Sequence, residues 1–175
     1  MTLPATGNNS GASWSTAYTD CQAAINDAIA GDSIFVATAV YQPGAAESFA
    51  MKEGVKIFGG FDGTESSFSE RSLKNKATLQ GNGNSVVSND DNGLTSAAEL
   101  DGFIITGGTA DDGGGMYNNG VSPVIRNCIF ENNTAFNSGG GIYNDGTSTP
   151  SIINCVIRGN NTGITGGGIY TFNAK

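Results

Sequence analysis

Gly113-Gly114-Gly115-Met116-Tyr117-Asn118 returns as Gly139-Gly140-Gly141-Ile142-Tyr143-Asn144, and again as Gly166-Gly167-Gly168-Ile169-Tyr170-Thr171. The triplets begin 26 and then 27 residues apart. Between them Ser122-Pro123-Val124-Ile125-Arg126-Asn127-Cys128-Ile129-Phe130 is answered by Thr149-Pro150-Ser151-Ile152-Ile153-Asn154-Cys155-Val156-Ile157, with Pro, Asn and Cys each displaced by 27. A fixed period in this range marks a solenoid, a propeller or a repeat array. The content of one period chooses among them. Each repeat holds two short β-branched or aromatic runs set off by Gly, Asn, Asp, Ser and Pro, and no ten-residue stretch with helical spacing. Helical-pair repeats need two amphipathic helices per unit, and a propeller blade needs four strands over a longer period. Two or three short strands with tight corners fit one rung of a parallel β-helix. Each strand then pairs with its copy one rung away, at about 4.8 Å.

Stacking turns the repeat into columns. Ile125 lies over Ile152, Cys128 over Cys155, Phe130 over Ile157, and Met116 over Ile142 and Ile169. These read as inward columns, each large apolar side chain contributing roughly 1.5–3 kcal/mol when fully buried. Asn127 and Asn154 fall where the run must bend. Asn tolerates left-handed backbone, and stacked amides form hydrogen-bonded ladders.

Phe130-Glu131-Asn132-Asn133 followed by Gly139-Gly140-Gly141-Ile142 resembles the paired F-x-x-N and G-G-[A/G]-[I/L/V] motifs of the chlamydial polymorphic membrane protein repeat. The same residues, with the Ser-Pro-x-Ile-x-Asn-Cys-x-Phe segment, are similar to a wider group of secreted bacterial right-handed β-helix proteins. The last copy reads Ile157-Arg158-Gly159-Asn160 and departs from the first motif. Leu100 to Gly108 looks like the lead-in rung of that group, and clear copies cover about residues 100–171. Ser13-Trp14, Ala23-Ala24-Ile25, Gly31-Asp32-Ser33-Ile34 and Val55 to Phe61 resemble its N-terminal capping region. The resemblance implies a right-handed, single-stranded parallel β-helix in a surface-exposed or secreted protein, often adhesive, with no cofactor. Such proteins are often longer than this chain.

Composition bounds the rest. A chain of 175 residues with 38% hydrophobic residues suits one continuous domain, although its 27 glycines are about twice the usual share of roughly 7%. Sixteen acidic against eight basic residues give −8, which argues against nucleic acid and anionic membrane surfaces as partners. No apolar run approaches the ~20 residues of a membrane span. Met1-Thr2-Leu3-Pro4 has neither the basic start nor the apolar core of a signal peptide.

Residues 1–32 read as a loop and a capping helix, residues 33–175 as rungs. The helix is expected over about Thr19 to Ala30, capped by Thr19 or Asp20, with Cys21, Ala24, Ile25, Ala28 and Ile29 on one face and Gly31 ending it. Trp14 and Tyr18 anchor the preceding loop. Ser33 to Val40, Ser48 to Met51 and Val55 to Phe58 read as strands, and Gly59-Gly60 and Asp62-Gly63 as turns. Thr64 to Lys76 reads as an excursion pinned by Phe68 and Leu73. Ala77 to Gln80 and Ser85 to Ser88 resume the rungs before a loop tip at Asn89 to Gly93.

The chemistry reads mostly as structural. Asp111-Asp112, Asp90-Asp91 and Asp145 fit solvated turns better than a calcium site, and the G-G-x-G-x-D repeat is absent. A polysaccharide lyase or hydrolase is the enzymatic alternative, since pectin-degrading enzymes share the right-handed β-helix. The sequence has no His and no recurring carboxylate column, so a non-catalytic reading is preferred. Tyr117, Tyr143 and Tyr170 form a column opposite Met116, Ile142 and Ile169. It reads as a stabilising ladder or as a contact strip for a glycan or protein. Cys128 and Cys155 stack closely enough for a disulfide or remain a thiol column, the latter preferred. Gly166, Gly167, Gly168, Ile169 and Tyr170 belong to a rung just before the sequence stops at Lys175. The chain is therefore either a fragment or a subunit that stacks on its own copies through this edge. The overall expectation is an extracellular structural or adhesive module without a cofactor.

Overall fold

A computed structural model describes residues 10–172 of the chain. The readings made on residues 1–9 and 173–175 lie outside the described residues.

The chain winds through about five turns. The first holds β1 (Ser33–Ala37) and β2 (Val40–Tyr41), and the second β3 (Lys56–Phe61), β4 (Ala77–Gln80) and β5 (Val87–Asp90). The third holds β6 (Glu99–Asp101), β7 (Phe103–Thr106), β8 (Thr109–Asp112) and β9 (Met116–Asn119). The fourth repeats this as β10 (Val124–Arg126), β11 (Ile129–Glu131), β12 (Thr134–Ser138) and β13 (Ile142–Asp145). The fifth holds β14 (Ser151–Ile153), β15 (Val156–Arg158), β16 (Asn161–Thr162) and β17 (Ile169–Thr171). Corresponding strands pair in parallel to give four sheets, in the orders β1-β3-β6-β10-β14, β2-β4-β7-β11-β15, β8-β12-β16 and β5-β9-β13-β17. The molecule is a parallel β-helix.

A regular turn thus has four strands, where two or three were expected. The additional strand is clearest in β12, Thr-Ala-Phe-Asn-Ser, whose polar residues conceal it; Ala135 alone is its small inward anchor, stacked on Ala110.

The inward columns match the repeat. Ile34, Ile57, Leu100, Ile125 and Ile152 stack in register on the first sheet. Tyr41, Leu79, Ile105, Phe130 and Ile157 do so on the second. Val87, Met116, Ile142 and Ile169 do so on the fourth. The corner between the first two sheets needs left-handed backbone, and Asn127 and Asn154 take it at φ 50° and 52°. The Asn154 amide donates to the Asn127 side-chain oxygen at 2.6 Å, the ladder expected at the bend.

The helix α1 (Cys21–Asp27) is shorter than expected. Asp20 caps it, accepting from the Ala23 N–H at 3.0 Å. Ala28 already has extended backbone, which keeps its methyl in the core while the chain swings into β1. Ile29 therefore leaves the apolar face and is 69% exposed, and Gly31 lies in a turn beyond the helix rather than ending it. Cys21 and Ile25 enter the core from the N-terminal end. The Gln22 amide accepts from the Ala50 N–H and donates to its carbonyl, tying the cap to the first turn.

Four further expectations change. The Ser33 to Val40 run breaks after Ala37, and Ser48 to Met51 forms only a single bridge, Phe49 to Val87. Gly59-Gly60 lies inside β3, where Gly60 at φ 98° lets the strand bulge between the Phe35–Phe58 and Ala37–Phe61 pairs. Asn89 is a fully buried strand residue rather than part of a loop tip.

The excursion over residues 62–76 is held down from outside the sheet. Phe68 packs on Phe35, Phe58 and Phe61 with ring centroids 5.7, 5.1 and 6.1 Å away. Arg71 lies over the Phe58 and Phe68 rings and pairs with Asp101 at 2.9 Å, both charged groups largely buried. Leu73, 41% exposed, contributes less. Trp14 reaches the same region: its ring lies 5.7 Å from Phe61 and its N–H donates to the Glu65 carbonyl.

Candidate functional site

The most regular outward feature is the face of the fourth sheet. Alternation along β9, β13 and β17 sends Met116, Ile142 and Ile169 inward and Tyr117, Tyr143 and Tyr170 outward. Register pairing then stacks the tyrosines in one column, with Ser88 beneath them. The Tyr117 and Tyr143 rings are 5.4 Å apart and 6° from parallel; Tyr143 and Tyr170 are 5.5 Å apart at 24°. Offset stacking of this kind is worth about 0.5–1.5 kcal/mol per pair.

The glycine triplets make the close stacking possible. The first of each takes the left-handed corner, Gly139 at φ 70°, with the Tyr143 Cβ only 2.8 Å from where its own Cβ would stand. The third faces the next rung: a Cβ on Gly115 would strike the Gly141 carbonyl oxygen.

Stacking also decides what the column can present. Both faces of Tyr143 are covered by its neighbours, and the residue is only 9% exposed. Among the described residues no second ring covers the outer face of Tyr170, or that of Tyr117 above Ser88. Elsewhere the column offers ring edges and phenol groups. A second column, Asp90, Asn119 and Asp145, runs beside it, and the Asn119 amide donates to Asp90 at 2.9 Å. Burial, then Asp145 and Asp112, pushes the Tyr143 phenol up to about 12; burial, then Asp145, Asp90 and Asp112, raises Tyr117. At neutral pH these phenols are protonated donors beside carboxylate acceptors, a combination that suits hydroxyl-rich or cationic groups.

The carboxylates expected in turns are partly strand residues. Asp111 and Asp112 close β8, and Asp112 accepts from the Ser138 N–H one rung on. Among the described residues no group of three or more Cys, Asp or Glu is placed to hold a metal ion. Besides the buried Arg71–Asp101 pair, two charged pairs are cross-rung and exterior: Arg158 meets Glu131 at 2.6 Å, as the period predicts, and Arg126 meets Glu99 at 2.9 Å. A shallow cleft of about 250 Å³ beside the cap is lined by Asp20, Asn26, Glu47 and Ser48 among others.

The expected assembly edge, Gly166 to Tyr170, lies in the outermost turn. There β17 is the terminal strand of the fourth sheet. Ile169 is 42% exposed although Ile142 and Met116, below it in the same column, are fully buried.

Two buried polar columns escaped the sequence reading. Asn89, Asn118 and Asn144 stack inside the fourth sheet, with amide bonds of 3.0 and 2.9 Å between them. Asn133 and Asn160 stack at the corner after the second sheet, joined at 3.0 Å. The signal for the first was present: Asn118 stands two residues after inward Met116, so alternation turns it inward too. No protein-family model matches the chain, and no curated protein or solved structure matches it either.

Proposed function

We propose that the chain is a non-catalytic, extracellular structural or adhesive β-helix module of a bacterial surface or secreted protein. It resembles the polymorphic membrane protein repeat in its F-x-x-N and Gly-Gly-Gly-Ile motifs. The observation that carries the adhesive reading is the outward Tyr117–Tyr143–Tyr170 column beside the Asp90–Asn119–Asp145 column. A ladder fixed on stacked rungs loses little side-chain freedom on binding, which favours adhesion through many weak contacts. The partner is a cell-surface glycan or protein. Binding to immobilised glycans and host-cell surfaces, compared between the parent and Tyr143→Ala and Tyr170→Ala, tests this. The expected result is binding weakened by about tenfold or more with circular dichroism unchanged. Equal binding by parent and variants sinks the adhesive reading.

The exposure of Ile169 favours a second reading, a fibre subunit. An inward side chain open at the last described turn, with β14, β15, β16 and β17 all terminal in their sheets, suits a further parallel rung, supplied by a second copy in this reading or by continuing chain. Filaments that grow with concentration in light scattering and negative stain, and vanish in Ile169→Asp, are then expected. A monodisperse monomer at all concentrations rules this reading out.

A further inference from the structure

Cys128 and Cys155 hold the same position in consecutive rungs. The residues that follow them, Ile129 and Val156, pair in register, and the Val156 N–H donates to the Cys128 carbonyl at 2.9 Å. Neighbouring strands run about 4.8 Å apart, within the roughly 4.4–6.8 Å of Cα separation that a disulfide spans. Both side chains point into the core, where Cys155 packs against the buried cluster containing Cys128. The Cys128 thiol donates to the Leu100 carbonyl at 3.7 Å, and the Cys155 thiol lies 3.4 Å from the Ile153 carbonyl and 3.7 Å from that of Ile125. All three cysteines of the chain are free.

The two sulfurs differ in environment. Cys155 is partly exposed, in the outermost turn, and the neighbouring Cys128 thiol holds its own below the usual range despite partial burial. Burial, then the Cys155 neighbour, pushes the Cys128 thiol up. The pair therefore has a partly accessible sulfur and a buried one a single rung beneath it. Cys21 stands apart on the cap helix, and burial raises its thiol to about 12, which keeps it inert.

We propose that Cys128 and Cys155 are a redox couple that closes into an inter-rung disulfide when the chain meets a peroxide. The Cys155 thiolate attacks one peroxide oxygen; the O–O bond breaks, hydroxide leaves, and Cys155 becomes a sulfenic acid. The Cys128 sulfur then attacks the Cys155 sulfur; the S–O bond breaks and the oxygen leaves as water with the Cys128 proton. Two thiols lose two electrons and two protons, and the peroxide is reduced to two waters. The bond clips the outermost turn to the one beneath it, at the place where the solenoid is least covered.

The experiment treats the purified, folded chain with hydrogen peroxide. Free thiols are counted, the intact mass is measured, and peptides are mapped without reduction. The expected count falls from three thiols to one, the mass drops by two hydrogen atoms, and the Cys128 and Cys155 peptides become linked while the chain runs as a monomer. A reducing agent restores all three thiols. The melting temperature of the oxidised form rises by about 5–10 °C, because a long loop is closed. In Cys155→Ser, whose altered side chain is at the partly open position, both remaining thiols resist the same dose. Three surviving thiols in the parent, oxygen gain at Cys155 alone, or cross-linking between chains would overturn the proposal, as would equal oxidation of Cys155→Ser.

Discussion

Replacing Phe130 with alanine lowers the unfolding free energy by about 3–5 kcal/mol, the range for truncating a buried aromatic ring. Phe130 is fully buried in the middle of a column, with Ile105 below and Ile157 above. Its ring edge lies 3.0 Å from where a Cβ would stand on Gly115, so the third glycine of the triplet is already the smallest possible wall. The space cannot close by moving the rungs together, because the backbone ladders fix their spacing. A cavity therefore persists. The effect also has a shape: stability in a solenoid is a sum of turns and nearest-neighbour interfaces. Damage in the fourth turn loosens the fifth first. Guanidinium unfolding followed by far-ultraviolet circular dichroism is expected to show a lower midpoint and a broader transition than the parent. A loss under about 1 kcal/mol would mean that the core is not packed around this ring.

Asn133→Leu is expected to cost about as much, roughly 3–5 kcal/mol, for a different reason. Leucine matches asparagine in shape but supplies no hydrogen bonds. The Asn133 side-chain oxygen accepts from the Gly108 N–H at 3.0 Å, and its amide donates to the Ile105 carbonyl at 2.9 Å and to the Asn160 side chain at 3.0 Å. Asn133 is fully buried, so water does not replace the lost partners. Each buried polar group left unsatisfied costs about 1–3 kcal/mol, and at least two are affected. Asn133→Asp at neutral pH, which keeps the acceptor and removes the donor, is expected to be no better than leucine, since it places a charge in the core. Urea melts of the two variants beside the parent decide the matter. Parent-like stability in Asn133→Leu would show that this corner is wetter than its burial implies.

Asn133 also explains the motif it belongs to. In Phe130-Glu131-Asn132-Asn133 the first residue fills the core, Asn132 takes the left-handed corner at φ 55°, and the last bridges three rungs with its amide. The last copy, Ile157-Arg158-Gly159-Asn160, keeps each role. Ile157 is the apolar filler, Gly159 turns at φ 60°, and Asn160 continues the ladder by donating to the Phe130 carbonyl. The departure visible in the letters is conservative in geometry.

What could be read from the letters was whatever repeats with a period. Displacements of 27 residues place Ile125 under Ile152 and Phe130 under Ile157, and one of 26 places Tyr117 under Tyr143. Parallel rungs of nearly equal length hold this register, since a one-residue slip would turn every apolar side chain outward. The fold class, the main columns and the outward tyrosines follow from that constraint alone. The elements that failed to show are those whose identity depends on what lies across space. β12 shows no apolar alternation, since Ala135 and Ser138 are its buried residues while Phe136 faces solvent, and pairing with β8 and β16 makes it a strand. Gly59-Gly60 has turn composition yet lies within β3, because β1 pairs with Phe58 before it and with Phe61 after it. The helix stops early because Ala28 and the first turn of the solenoid need its exit there, which no helical propensity encodes. In the candidate site, stacking sets the ring planes of the tyrosines and closes both faces of Tyr143; the spacing of three Tyr letters carries no ring angle. Periodicity specifies which residues are neighbours, whereas burial, ring orientation and the pairing of buried amides arise only when all the turns are packed together.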